Sequence, residues 1–145
     1  MGKETAGLIR LMAEDDISDI VELEQLSFAS PWSADSFRQE LTNPLAFYLV
    51  WELNHKVVGY CGAWVLLGEA QITNVAIHPD YQRQGAGRRL LQSFLEKLKE
   101  KGMQVYVVPE AELPAWQSAT KPVWDIFVKH TGDLGKELIE ICSKQ

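Results

Sequence analysis

Cysteine is scarce in this sequence, since only Cys61 and Cys142 occur among its 145 residues. Their positions fit neither a CxxC redox motif nor a set of metal ligands, so we expect reduced thiols, no bound metal, and a buried structural role for Cys61. Long hydrophobic runs are also missing, and none reaches the roughly 18 residues that a transmembrane helix needs. No secretion signal is recognised at the start, which predicts a cytoplasmic protein that does not insert into membranes.

Basic charge is limited as well. The 14 Lys and Arg against 20 Asp and Glu leave a net charge of −6, which argues against nucleic acid or an anionic membrane as the main partner. A chain of 145 residues with 46% hydrophobic residues is expected to form one domain with a substantial core. Against this acidic background, three of the five arginines lie between positions 83 and 89. A general basic character does not explain this cluster.

The spacing of apolar residues predicts an α/β fold in which a mixed sheet is flanked by helices on both faces. Polar side chains mark the helix starts, with Asp15 or Asp16 before the first helix and Ser33 before the second. A tight turn at Asn54–His55 joins two strands in a hairpin. The predicted strands are 8–12, 46–53, 56–67, 69–77 and 105–108, and the predicted helices are 14–28, 34–41, about 85–101, and 132–142.

A glycine-containing turn, residues 82–88, joins the fourth predicted strand to the helix that follows it. Free backbone N–H groups and the helix dipole make such a helix start suitable for binding an anion. Gly85 and Gly87 allow close approach of a ligand, and Arg83 and Arg88 can contact phosphate. The turn lacks the lysine of a Walker A loop and the third glycine of a dinucleotide fingerprint. The residues alone leave two interpretations open, an anion site and a solvated loop.

Three segments carry a resemblance to a known family: "SFASPWSADSFRQEL", "YLVWELNHKVVGYCGAW" and "EAQITNVAIHPDYQRQGAGRRLL". Together with a Q/R-x-x-G-x-G/A turn at 82–87, they make the sequence similar to the GNAT acetyltransferases. Within that family it resembles the bacterial ribosomal-protein-alanine N-acetyltransferases over about residues 8–105. The resemblance implies a GNAT fold and acetyl transfer from acetyl-CoA to the N-terminal amine of a protein or peptide, such as a ribosomal protein.

The same resemblance implies roles for individual residues. The strand residues Val75, Ala76 and Ile77 would line the pantetheine arm of acetyl-CoA. The loop of Pro31, Trp32 and Ser33 would lie beside the acceptor, although an aromatic ring that anchors the loop explains Trp32 equally well. His78 is interpreted as a loop-packing residue rather than a base. The residues that would hold the pyrophosphate of acetyl-CoA are Gln82, Arg83, Gln84, Gly85, Ala86, Gly87 and Arg88.

The sequence departs from the family pattern after Val105. Aligned without gaps, three family positions fall on other residues here: the catalytic Glu on Pro109, the CoA-binding Asn on Pro114, and the Tyr that protonates the departing thiolate on Lys121. This leaves Glu110 as the candidate catalytic residue. Residues 106–145 are therefore interpreted as a divergent tail of one domain spanning 1–145, and a reading-frame change remains an alternative origin. Three functions stay open: a protein N-terminal acetyltransferase, a CoA-binding relative with weak or no catalysis, and an acetyltransferase for small-molecule amines.

Overall fold

The computed structural model describes residues 7–143 of the chain, with side chains described for residues 7–140, so Cys142 lies outside the described side chains. Contacts within the chain divide it into two compact units, Met1–Val105 and Tyr106–Gln145.

The first unit contains a four-stranded antiparallel sheet and three α-helices. The strands are β1 (Leu8–Leu11), β2 (Ala46–Leu53), β3 (Lys56–Leu66) and β4 (Glu69–Ile77), arranged in the order β1-β2-β3-β4. The helices are α1 (Ile17–Ser27), α2 (Ala34–Thr42) and α3 (Ala86–Glu100), and short 3-10 turns occupy Glu14–Asp16 and Pro79–Tyr81. The predicted strands and helices between residues 8 and 101 are thereby confirmed, with small shifts at their ends.

Local side-chain chemistry sets several of these boundaries. The Ser33 hydroxyl accepts a hydrogen bond from the Ser36 N–H at 3.2 Å and caps α2 as predicted. Asp16 precedes α1, but its carboxylate binds Arg10 and the Ala13 N–H instead of capping that helix. Asn54 and His55 both have positive φ angles, 50° and 62°, as the turn of a tight hairpin requires.

Helices cover both faces of the sheet, as expected for the α/β class. Neighbouring residues of β2 point to opposite faces, so Leu49 packs in the core beneath α3 whereas Val50 packs beneath α1 and α2. The α3 side contains Leu90, Phe94 and Leu98 from that helix. The other side contains Ile17, Ile20 and Leu23 from α1, together with Phe37 and Tyr60.

The predicted strand at 105–108 is wrong. Residues 103–108 have no regular secondary structure, and the sheet in the described part of the chain is entirely antiparallel rather than mixed. A strand after α3 would have supplied the parallel pairing. Four residues of high β-propensity do not define a strand without a partner, and Pro109 offers no N–H with which to extend the segment.

The second unit is helical. After a 3-10 turn at Glu110–Glu112, it forms α4 (Leu113–Thr131) and α5 (Asp133–Ser143), separated by Gly132 with a φ of 63°. The prediction of a helix at 132–142 is confirmed, whereas α4 was not predicted because Pro114 and Pro122 interrupt its sequence. Pro114 lies in the first helical turn, where a missing N–H costs nothing. No helix in residues 7–143 is both long and apolar enough to cross a membrane.

Candidate functional site

The turn between β4 and α3 has a left-handed backbone at two positions. Gly85 is the N-cap of α3 with a φ of 80°, and Arg83 has a φ of 58°. Because glycine adopts such angles without strain, position 85 is the one at which the turn needs a glycine. Gly87, in contrast, lies within the helix, and a Cβ there would meet only Ile77 at 3.7 Å, an ordinary contact.

The first turn of α3 exposes free backbone donors. Its first intrahelical bond runs from the Arg89 N–H to the Gly85 carbonyl at 3.0 Å. The N–H groups of Ala86, Gly87 and Arg88 therefore have no carbonyl within the helix to bind. These three donors carry the positive end of the helix dipole.

Two glutamine side chains hold the turn together. The Gln82 amide donates to the Ile77 carbonyl at 2.8 Å and ties the turn to the end of β4. The Gln84 amide donates to the Asp80 carbonyl at 2.9 Å. Because both amides are engaged inside the turn, the backbone donors and the arginines are the groups that remain to face a ligand. His78 also serves the loop, since its Nδ1 accepts from the Asp80 N–H at 3.3 Å.

The arginines of this turn lack carboxylate partners. Arg83, Arg88 and Arg89 are exposed, and none of them forms an ion pair within the described residues. Arg10 and Arg38, the other two arginines, each bind two carboxylates. Positive charge at a helix N-terminus is unfavourable because it opposes the dipole, and α3 has no acidic residue in its first turn. An anion at this turn would offset this unfavourable interaction.

β4 presents a free edge beside the turn, because it is the last strand of the sheet. The His78 N–H bonds to the Val58 carbonyl at 2.8 Å, so His78 directs its backbone groups toward β3. Along β4, every second residue does the same, and the residues between them direct theirs outward. By that alternation, Val75 and Ile77 direct their N–H and C=O groups away from β3. The side chains of Ala76 and Ile77 are buried in the core. Any ligand along these residues would therefore contact their backbone.

A bulge interrupts β4 just before this edge. Gly62 pairs with Asn74 and Ala63 pairs with Ile72, so Thr73 is an extra residue on β4. The Thr73 hydroxyl shares a hydrogen bond of 3.1 Å with the Tyr48 hydroxyl.

A cavity of about 500 Å³ lies between this bulge and the loop that follows α1. We call it the loop cavity. Of the predicted substrate loop, Trp32 lines this cavity and Pro31 and Ser33 do not. Ser33 caps α2, and Pro31 is exposed. The Trp32 ring also packs on Phe37 at a centroid distance of 5.7 Å, so the residue both anchors the loop and faces the cavity. The lining consists of Glu24, Phe28, Ala29, Ser30, Trp32, Thr73, Asn74 and Val75.

Glu24 is the ionisable residue of this lining, and sequence reasoning did not identify it. Its side chain is 1% exposed. One carboxylate oxygen accepts from the Tyr60 hydroxyl and from the Asn74 side-chain amide at 3.4 Å. The other accepts from the backbone N–H of Trp32 at 2.8 Å. Burial, and then the Glu24 carboxylate, raise the pKa of Tyr60 above its ordinary value, so its hydroxyl remains a donor. The signal was available, because Glu24 follows Ile20 by one helical turn on the buried face of α1.

The described residues contain no obvious metal centre or reactive thiol. No group of three or more His, Cys, Asp or Glu among them is arranged to hold a metal ion. Cys61 is fully buried, and burial raises the pKa of its thiol to about 12, which keeps it protonated.

Glu110 lies in the second unit, where it begins the 3-10 turn and is exposed. It therefore lies beyond the segment 105–108 that was predicted as a strand. The three positions aligned with the family's site residues are also outside any strand. Pro109 precedes the 3-10 turn, Pro114 lies in the first turn of α4, and Lys121 lies inside α4.

Comparison with known proteins gives consistent matches. Residues 17–121 match the model of the Acetyltransferase (GNAT) family. A protein of Bacillus subtilis (strain 168), with the provisional name [ribosomal protein bS18]-alanine N-acetyltransferase, is 46% identical over 99 residues, which cover 68% of this chain and 66% of that protein. The [ribosomal protein bS18]-alanine N-acetyltransferase of Escherichia coli (strain K12) is 37% identical over 90 residues, covering 61% and 59%.

A solved structure agrees with these sequence matches. The crystal structure of the ribosomal-protein-S18-alanine N-acetyltransferase from Escherichia coli aligns with a TM-score of 0.61 at 28% identity, covering 78% of this chain and 76% of that one. The chain spans 59% to 66% of the length of the two curated relatives.

Proposed function

The chain belongs to the GNAT family of acetyltransferases, and from this premise we propose that it binds acetyl-CoA and transfers the acetyl group to the N-terminal amine of a protein. The relatives named above act on the alanine of ribosomal protein bS18. We extend this substrate class, a ribosomal protein beginning with alanine, to the present chain. Such a reaction belongs in the cytoplasm, where ribosomal proteins are made.

The observation that carries the proposal is the turn at the start of α3. Three backbone donors, the positive end of a helix dipole and three arginines without an ion-pair partner among the described residues belong to this turn, and a pyrophosphate supplies the negative charge that this arrangement needs. Space is available as well, because a Cβ at Gly85 would meet nothing within 4 Å. The residues present therefore fit the phosphates of acetyl-CoA, and the two glutamines, Gln82 and Gln84, support the turn.

The edge of β4 completes the binding surface. An extended ligand arm can pair with the outward N–H and C=O groups of Val75 and with the outward N–H of Ile77, in the manner of an added strand. When bound, acetyl-CoA supplies an acetyl group activated as a thioester. The Val75 N–H is then a donor of the kind that stabilises negative charge developing during acyl transfer. The loop cavity, which contains Trp32 and Val75, would receive the acceptor amine.

A second candidate function is CoA binding with weak or no catalysis. It is favoured by one observation: the positions that align with the family's acid and base carry Pro109 and Lys121 and lie outside any strand. Loss of a general acid or base typically costs 10²–10⁴-fold, so we expect turnover to be lower than that of relatives by at least ~100-fold. Turnover that Glu110→Gln abolishes would show instead that Glu110 serves as the base.

Thermal unfolding with and without CoA tests the binding site. At a CoA concentration of 100 Kd, a ligand specific for the folded state adds about 2.7 kcal/mol of stability. Gly85→Asp should abolish the shift, because it places a carboxylate in the anion site. Gly68→Asp is the matched control, since Gly68 has a φ of 83° and equally open surroundings in the turn between β3 and β4. Equal shifts in Gly85→Asp and the parent would contradict the assignment.

Product analysis tests the acceptor class. A peptide that begins with alanine should be acetylated at its N-terminus, and the same peptide with a blocked amine should be inert because it has no nucleophilic lone pair. Preferential acetylation of a polyamine or of internal lysines would instead favour one of the other family activities.

A further inference from the structure

Glu24 is a buried carboxylate for which the described residues provide no cation. Asp16, another buried acid, is neutralised by Arg10 at 2.7 Å. Glu24 receives hydrogen bonds only from neutral groups, and no Lys, Arg or His pairs with it in the part of the chain that the structure describes. Burial of a charge is costly unless an opposite charge accompanies it. Glu24 lines the loop cavity, so a cationic group placed in that cavity would supply the opposite charge.

Hydrogen-bonding capacity in the cavity is also incomplete. The Glu24 oxygen that binds the Trp32 N–H has a single donor, although a carboxylate oxygen accommodates about two. The Asn74 Oδ1 is buried and has no hydrogen-bond partner among the described residues. The orientation of the Asn74 amide is set by Glu24, which accepts from its nitrogen. One acceptor on this cavity therefore lacks a donor, and a second can accept one more.

We propose that Glu24 and Asn74 form the receptor for the protonated α-amino group of the acceptor. A primary ammonium carries one positive charge and three N–H donors, which match the missing counter-ion and these two acceptors. Tyr60 and the Trp32 N–H hold the carboxylate in place. Val75 lines the same cavity, so an amine held there lies beside the outward edge of β4. This inference rests on the proposed function for the identity of the amine, a peptide N-terminus.

Binding of two peptides in the presence of saturating CoA tests the receptor. The probes are one peptide beginning with alanine and the same peptide N-acetylated, and calorimetry gives the Kd of each. The parent should prefer the free amine by about 10-fold or more, the range of a charge-assisted hydrogen bond. Glu24→Gln should abolish this preference. Glu22→Gln, which removes an exposed carboxylate from the same helix, should retain it.

The pH profile separates ammonium recognition from a purely structural role. An α-amino group ordinarily has a pKa near 7.7–8.0, so the parent's preference should decline between pH 7 and 9. The titratable groups around Glu24 are Tyr60 of β3, Tyr48 of β2 and Glu40 of α2. Burial raises the pKa of both tyrosines, which stay protonated in this range. If Glu24 only supports the loop, Glu24→Gln will weaken both peptides equally and leave the pH dependence unchanged, which overturns the proposal.

Two further measurements keep the result decisive. Asn74→Ala should reduce the preference for the free amine, and it replaces Glu24→Gln if that variant does not fold. The CoA-induced thermal shift, measured on each protein, reports the proposed cofactor site independently. A normal CoA shift with equal binding of the two peptides by the parent would overturn the ammonium receptor alone. A preference for the free amine without any CoA shift would support the receptor and reject the cofactor assignment.

Discussion

Two stacked tyrosines offer a controlled test of the buried Glu24 network. Tyr48 and Tyr60 are both buried, and their rings lie 6.5 Å apart with an interplanar angle of 17°. The Tyr60 hydroxyl donates to the Glu24 carboxylate, whereas the Tyr48 hydroxyl bonds to the neutral hydroxyl of Thr73 at 3.1 Å. Replacement of each by phenylalanine removes one hydroxyl and keeps the ring, so the pair compares a hydroxyl that donates to a carboxylate with one that bonds to a neutral hydroxyl.

The expected magnitudes follow from that difference. A hydrogen bond to a charged group contributes about 1.5–3 kcal/mol, compared with about 0.5–1.5 kcal/mol for a neutral pair. Tyr60→Phe also leaves the buried carboxylate of Glu24 with fewer donors, which places its cost toward the upper end of the range. We expect Tyr60→Phe to lower the free energy of unfolding by about 2–3 kcal/mol and Tyr48→Phe to lower it by about 1 kcal/mol.

Urea denaturation measures both losses, with unchanged m-values as the check that the folded and unfolded states remain comparable. In a thermal scan, 2 kcal/mol corresponds to a decrease in Tm on the order of 10 °C for a unit of about 100 residues. The double variant Tyr60→Phe/Glu24→Gln should show a coupling energy of about 1 kcal/mol or more. Equal losses for the two single variants, or additivity in the double variant, would refute the reasoning.

Two other predictions concern titration. Burial raises the pKa of Tyr48 and Tyr60, so the stability they contribute is complete below the ordinary tyrosine pKa near 10 and is lost as the pH rises above it. In an absorbance titration, two of the four tyrosines should therefore ionise only as the protein unfolds. Ionisation of all four in folded protein would contradict this. Burial alone would raise the pKa of Asp16, but the hydrogen bonds from Arg10 and the Ala13 N–H lower it overall. Asp16→Asn should therefore cost on the order of 2 kcal/mol at neutral pH, and the difference from the parent should vanish as the pH falls below about 4; a pH-independent difference would assign the loss to packing.

Prediction from sequence succeeded where neighbours in the chain decide the structure. The Ser33 cap, the hairpin at Asn54–His55 and the buried stripe of α3 each depend on residues within a few positions of one another. The prediction failed at 105–108, where a strand depends on a partner that the local pattern does not supply. It also missed α4, because a proline in the first turn of a helix resembles a helix breaker in the sequence.

The candidate site also has a part that local sequence patterns were able to predict. The turn from Gln82 to Arg88 was recognisable because its glycine, its arginines and the start of α3 are contiguous, and the conformation at Gly85 follows from local backbone sterics. Its role in CoA binding remains a prediction. The same applies to the loop around Trp32, which the structure places on a cavity.

Local patterns in the sequence were enough to predict the elements of the first unit and a helix start with free donors, because these depend on periodicity and turn geometry. The surroundings of Glu24, in contrast, depend on packing between segments that are far apart in the chain. Its partners Tyr60 and Asn74 are 36 and 50 residues away in the chain, and they meet it because α1 packs against both β3 and β4. A carboxylate on an apolar helix face acquires its chemistry from the groups that packing brings to it, and no local pattern specifies those groups.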